Sequence, residues 1–97
     1  MGENGERCKA CEVKVEGRVQ GVGFRYSAIH AARRYQVTGW VRNEYDGSVT
    51  LFCEGEADAV DRFVDWCRTG PPSAHVINVN IIMRTCRGRY STFSVAY

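Results

Sequence analysis

At 97 residues, 44% of them hydrophobic and 25% charged, the chain has the makings of one small folded domain and not of a disordered segment. Thirteen Lys and Arg against eleven Asp and Glu leave a formal charge of +2, too small an excess to argue for a nucleic-acid or membrane partner. No apolar run approaches the ~20 residues of a bilayer span, and the polar stretch Met1 to Ala10 lacks the apolar core of a secretory leader, so the expected location is the cytoplasm.

Residues 1–10 read as a polar, flexible extension ahead of a domain spanning 11–97. From Cys11 to Gly17 the chain alternates, with Cys11, Val13 and Val15 on one face and Glu12, Lys14 and Glu16 on the other, the pattern of a half-buried strand. A glycine-rich turn, Gly17 to Gly23, follows. Phe24, Ala28, Ala31, Ala32 and Tyr35 then recur at three- and four-residue steps, which predicts an amphipathic helix ending near Gln36. Val37 to Arg42 is a second strand. Asp46-Gly47 is a hairpin turn, and Val49, Leu51 and Cys53 alternate along the returning strand, which Gly55 closes. Val60, Phe63, Val64 and Cys67 mark the buried stripe of a second helix, stopped by Gly70-Pro71-Pro72. His75 to Met83 is β-rich, Arg84 to Tyr90 is a basic loop, and Phe93 and Val95 suggest a short closing strand.

The order β-α-β-β-α-β, with a terminal extra strand, predicts an α/β (α+β) fold of the ferredoxin-like kind: one antiparallel sheet with two helices on one face. A third strand fits between the first and second, which then run the same way. Their C-terminal ends meet, so the glycine turn and Asn43 are expected together.

Five cysteines, Cys8, Cys11, Cys53, Cys67 and Cys86, are an odd count for a disulfide scaffold. Cys8-Lys-Ala-Cys11 has the spacing of half a zinc site, but the others are scattered and neither His30 nor His75 belongs to an H-x₃₋₅-H pair. No metal site is expected. Cys11 opens the first strand and Cys53 closes the third, both on the inward register; they are expected close together, and in a reducing compartment as free thiols.

Strand, glycine turn and helix together form a phosphate-binding geometry. Glycines let successive N–H groups turn inward, and the helix N-terminus adds partial positive charge. Arg25, in the first helical turn, puts a planar cation suited to phosphate over the same place, although the helix macrodipole disfavours a basic residue there. Neither a Gly-Lys-Ser/Thr phosphate loop nor the dinucleotide spacing is present.

Two segments carry a more specific pattern. Gly17-Arg18-Val19-Gln20-Gly21-Val22-Gly23-Phe24-Arg25, with Tyr26 next, resembles the first signature of the acylphosphatase family. Gly39-Trp40-Val41-Arg42-Asn43-x-x-x-Gly47-x-Val49-x₅-Gly55 resembles the second. The likeness runs from about Cys11 to Tyr97, almost the whole chain. It implies hydrolysis of the carboxyl–phosphate bond of small acyl phosphates, with carboxylate and inorganic phosphate as products. It also implies catalytic roles for two side chains: Arg25 binds the phosphate and Asn43 orients the attacking water. The phosphate-binding backbone falls on Gln20, Gly21, Val22, Gly23 and Phe24. Neither cofactor nor metal is implied, and the expected enzyme is a monomer with no nucleic-acid or membrane partner. No His or carboxylate is among the residues that define either motif, so the water's proton is expected to pass to a phosphate oxygen.

The alternative is a non-catalytic, ferredoxin-like module that retains an anion pocket; intact Arg25 and Asn43 count against it. Gly21-Val-Gly-Phe-Arg-Tyr also resembles an RNA-recognition fingerprint, but that belongs on the third strand, where Ser48-Val-Thr-Leu-Phe-Cys-Glu54 stands. Arg18 and Arg42 flank the site and are expected as surface charge.

Overall fold

Each segment with strand or helix periodicity becomes the expected element in the computed structural model, which describes residues 7–97. In chain order these are β1 (Cys8–Arg18), α1 (Phe24–Tyr35), β2 (Thr38–Asn43), β3 (Val49–Glu56), α2 (Ala57–Cys67), β4 (His75–Arg84) and β5 (Phe93–Val95). Among the described residues the strands form one sheet, in the order β4-β1-β3-β2-β5.

Two expectations need correcting. The expected flexible extension gives way to strand at Cys8, because residues 8–10 pair with both neighbours of β1: Cys8 opposes Glu56, and Ala10 opposes Glu54 and Arg84. Ala10 is fully buried as a result; residues 1–6 lie outside the described residues. The sheet is also mixed and not wholly antiparallel, since β5 pairs with β2 in parallel.

Both helices lie on the face that carries Val13, Val15, Val41, Val49 and Leu51, all fully buried. From α1 come Ala28, Ala31 and Ala32, small residues that let the helix approach the sheet; α2 supplies Val60, Phe63, Val64 and Cys67. Each large apolar side chain removed from water contributes about 1.5–3 kcal/mol. Gln36 ends α1 in the left-handed region at φ 62°, and Val37 N–H bonds back to the Ala32 carbonyl at 3.0 Å, releasing the chain into β2. β1 and β2 are each antiparallel to β3, so they run in the same direction. Their C-terminal ends, Arg18 and Asn43, therefore reach the same edge of the sheet. Parallel pairing brings the end of β5 there too.

β4 and β5 occupy opposite edges, so residues 85–92 must cross the sheet face that the helices leave open. This strap is tied down at several points. Arg87 and Gly88 donate their backbone N–H groups to the Glu54 carboxylate, Tyr90 lies 5.6 Å from the Phe52 ring, and Gly39 N–H bonds to the Thr92 carbonyl at 3.0 Å. Phe52 in turn stacks on Trp40. The fifth tie is a disulfide between Cys8 and Cys86, a pairing that the sequence reading did not anticipate.

Cys11 and Cys53 sit directly opposite each other as expected, unbonded, with sulfurs 3.5 Å apart in the core. The contact with Cys11 and burial together push the Cys53 thiol well above its ordinary range, and burial does the same to Cys67.

Candidate functional site

Where β1 ends, the chain bends through residues 19–23 and enters α1 at Phe24. Gly21 at φ 75° and Gly23 at φ 81° are in the left-handed region. A Cβ on either would meet no atom within 4 Å, so the requirement for glycine is conformational and not a matter of space. Gly23 caps α1 with no side-chain hydrogen bond, and the first turn holds no acidic residue. The amides of Gln20 to Phe24 donate to no acceptor among the described residues. Five successive unpaired donors at a helix N-terminus form a cradle for an anion.

Phe24 anchors this loop from below. Its ring is fully buried, 5.3 Å from the ring of Trp66, and a side chain at Gly70 would strike it. Gln20 holds the loop from the side. Its carboxamide donates to the carbonyls of Glu44 at 2.7 Å and Ser48 at 2.9 Å, both in the turn after β2. That turn is itself braced: Asp46 accepts from Ser48 N–H at 2.9 Å and Ser48 Oγ at 2.6 Å, and faces Lys14 Nζ at 3.0 Å. These contacts, the Ser48 hydroxyl foremost, hold the Asp46 carboxyl far below the usual carboxylate range.

Between loop and strand lies a hollow of about 240 Å³ lined by Gly21, Gly23, Phe24, Arg25, Asn43 and Tyr97, among others. A neighbouring hollow of about 320 Å³ shares Arg25, Asn43 and Tyr97 with it. Among the described residues Arg25 has no ion pair or hydrogen bond, so its guanidinium is uncommitted. Asn43, the last residue of β2, pairs with Val49. Its Oδ1 is buried without a hydrogen-bond partner, although a buried acceptor left unpaired costs about 1–3 kcal/mol. An orphaned acceptor beside an uncommitted cation and a row of free amides is a site awaiting a polar ligand.

The structure thus brings Gly21, Gly23, Phe24, Arg25 and Asn43 together. Gln20 and Val22 do not line the 240 Å³ hollow; Gln20 turns its side chain into the bracing contacts, which leaves only its backbone N–H for a ligand. Phe24 can likewise contribute only its amide. Arg42 is held on the open face by Glu44 at 3.0 Å and over the Trp40 ring at 4.8 Å, and Arg18 is exposed. Tyr97, Val95 and Ala96 complete the walls and carry no motif. Only the parallel pairing of β5 beside β2 brings them there, and Ala96 N–H fixes this by bonding to the Val41 carbonyl at 2.9 Å.

One carboxylate, Glu44, does line the second hollow. The Thr50 hydroxyl and the Arg42 guanidinium hold its carboxyl below the usual range, making it a poor proton acceptor near neutrality. Larger hollows of about 390 Å³ and 360 Å³ lie beside α2 and under the strap. Neither contains the glycine loop.

The sequence model of the acylphosphatase family matches residues 11–95 of this chain. An acylphosphatase of a Nocardioides species is 49% identical over 87 residues, covering 90% of this chain and 88% of that one. One from Methylococcus capsulatus is 45% identical, covering 90% and 95% respectively. The solved acylphosphatase of Coxiella burnetii superposes with a TM-score of 0.89 at 38% identity, over 99% of this chain and 100% of that one.

Proposed function

The chain belongs to the acylphosphatase family and hydrolyses acyl phosphates, and we propose that Arg25 and the amides of residues 20–24 hold the phosphate while Asn43 aims the attacking water. The buried, unpartnered Asn43 Oδ1 carries this reading. A water that donates one hydrogen to Oδ1 has its orientation fixed, and its lone pair can be directed at phosphorus.

The reaction makes few demands on side-chain chemistry. A carboxylate is a good leaving group, so no strong general acid is needed. What remains is positioning and stabilisation of charge on the equatorial oxygens of the transferring phosphoryl group. Arg25 and the loop amides supply that charge complement. No histidine lines either hollow, and Glu44 is already committed as an anion. The water's proton therefore passes to a phosphate oxygen of the substrate. In this reading Arg25, Asn43 and the loop amides supply what the reaction requires without calling on a metal. All of these groups come from one chain, so this mechanism asks nothing of a second copy.

Hydrolysis of benzoyl phosphate in excess EDTA tests the assignment. Arg25→Gln and Asn43→Ala, each checked for folding by circular dichroism, should lose at least about a hundredfold in kcat, the usual effect of removing a preorganised group from a charge-stabilising site. Substantial turnover in either folded variant would remove that residue from the mechanism.

A further inference from the structure

At the end of the sheet away from the hollows, three chemically reactive groups converge under the strap. Cys8 on β1 and Cys86 in the strap are joined as a disulfide, with Cα atoms 6.3 Å apart. Glu54 on β3 lies beside them, only 4% exposed, its Oε2 3.9 Å from the Cys8 sulfur. That oxygen accepts the amides of Arg87 and Gly88, while Oε1 is buried with no hydrogen-bond partner. Among the described residues Glu54 has no ion pair. Both sulfurs and a Glu54 oxygen lie within 4.8 Å of one another.

A buried carboxylate with one oxygen unsatisfied is unfavourable unless something positive meets it. The disulfide offers nothing positive. Two thiolates and a carboxylate, by contrast, are a ligand set for a borderline-soft divalent cation. Tetrahedral zinc holds sulfur at about 2.3 Å and carboxylate oxygen at about 2.0–2.2 Å, which separates neighbouring ligand atoms by roughly 3.5–3.8 Å. Cys8 Sγ and a Glu54 oxygen stand 3.9 Å apart and all three ligand atoms lie within 4.8 Å. Once reduction lets the sulfurs part, shifts of roughly an ångström reach those separations. Hard cations such as magnesium or calcium would not choose two sulfurs.

We propose that Cys8, Cys86 and Glu54 form a redox-gated metal site that takes one zinc-class ion when the disulfide is reduced. A small dithiol reductant delivers two electrons and two protons, opening the S–S bond to two thiols, and is itself oxidised to a disulfide. The cation then displaces both thiol protons to solvent and accepts electron pairs from two thiolates and the Glu54 carboxylate. Water completes four-coordination on the exposed Cys8 side. The complex carries one net negative charge, which Arg87 and Arg89, lining the adjacent hollow, offset. Strap and sheet stay tied in either state, by a covalent bond or by a metal. Cys11 and Cys53 are no equivalent, since they face the helices in the core.

Cobalt(II) is the probe, because thiolate ligation gives it an intense near-ultraviolet charge-transfer band. Chain reduced anaerobically with a phosphine, freed of excess reductant, should take up one cobalt per chain with a two-thiolate band that added zinc abolishes. Unreduced chain should show none. Cys8→Ser should abolish the band, Cys11→Ala should leave it intact, and Glu54→Gln should weaken binding roughly tenfold to a hundredfold while the band survives. No band in the reduced wild type, or a band that survives Cys8→Ser, overturns the proposal. Where Cys8→Ser does not fold, Glu54→Gln decides, and unchanged affinity there overturns it equally.

Discussion

Gln20 donates to the Glu44 carbonyl at 2.7 Å, joining the loop that leaves β1 to the turn that leaves β2. A second bond from the same carboxamide, to the Ser48 carbonyl at 2.9 Å, doubles the tie. The glycine loop follows β1 and Asn43 ends β2, strands separated in the sheet by β3. Their relative placement at the strand ends thus depends on this cross-link. Removing it should misplace the two halves of the site without emptying either one. Gln20→Ala removes both bonds and is expected to cost about 1–3 kcal/mol of stability, each such bond being worth about 0.5–1.5 kcal/mol. Because small misplacements of reacting groups cost up to about a hundredfold, kcat should fall by roughly tenfold to a hundredfold. Steady-state kinetics beside urea unfolding would separate the two effects. A loss of stability with kcat unchanged would show that the tie braces the fold alone.

Gly23 tests the cradle from its backbone. At φ 81°, with open space where a side chain would stand, an alanine there fits sterically but resists the left-handed conformation. Gly23→Ala should therefore cost about 1–2 kcal/mol. If the loop relaxes to relieve that strain, its amides turn from the phosphate. Competitive inhibition by inorganic phosphate should weaken in parallel with activity. Retained phosphate affinity in the variant would mean that Arg25, and not the amides, carries the binding.

How much of this was legible beforehand differs between side chain and backbone. Arg25 and Asn43 could be named from the sequence because a glycine turn and a hairpin each leave a local signature, and the ferredoxin-like order brings their strand ends together. Tyr97 could not, because although Phe93 and Val95 mark a short closing strand, nothing in the sequence says that it pairs in parallel with β2. Gln20 was read as part of the cradle, and only the geometry shows its side chain committed elsewhere. The Cys11–Cys53 contact followed from strand register. Cys8–Cys86 did not, since it depends on a loop crossing the sheet, and loop paths leave little trace in composition.

Asp46 gives a pH dependence with a definite sign. Hydrogen bonds from Ser48 and the Lys14 ammonium favour its charged form, so its folded pKa lies below the ordinary value of 3.8. A group with a depressed folded pKa contributes stability that is present above the unfolded value and is lost as pH falls through the folded one. Asp46→Asn should therefore destabilise the chain at neutral pH, and the gap between variant and wild type should close as pH drops below about 4. The same contact raises the Lys14 pKa, so that part of the effect is lost only at strongly alkaline pH. Thermal unfolding from pH 7 to pH 2 would measure it. A gap that stays constant through the acid range would mean the carboxylate contacts do not contribute.

The Cys8–Cys86 disulfide joins residues 78 apart in sequence. Closing so long a loop restricts the unfolded chain, which by the chain-entropy argument stabilises the fold by about 4 kcal/mol. Reduction in the presence of a chelator should thus lower stability by up to that amount. The cost falls on the strap and the N-terminal end of β1. That end lies about 30 Å along the strand from the glycine loop, at ~3.3 Å per residue. Benzoyl phosphate hydrolysis, measured well below the unfolding temperature, should accordingly be unchanged by reduction and by Cys86→Ser. Loss of stability with activity intact would establish the strap as a structural device independent of the site. A parallel fall in kcat would show instead that the strap's hold on β5, through Thr92 and Gly39, is transmitted to the walls that Val95 and Tyr97 provide.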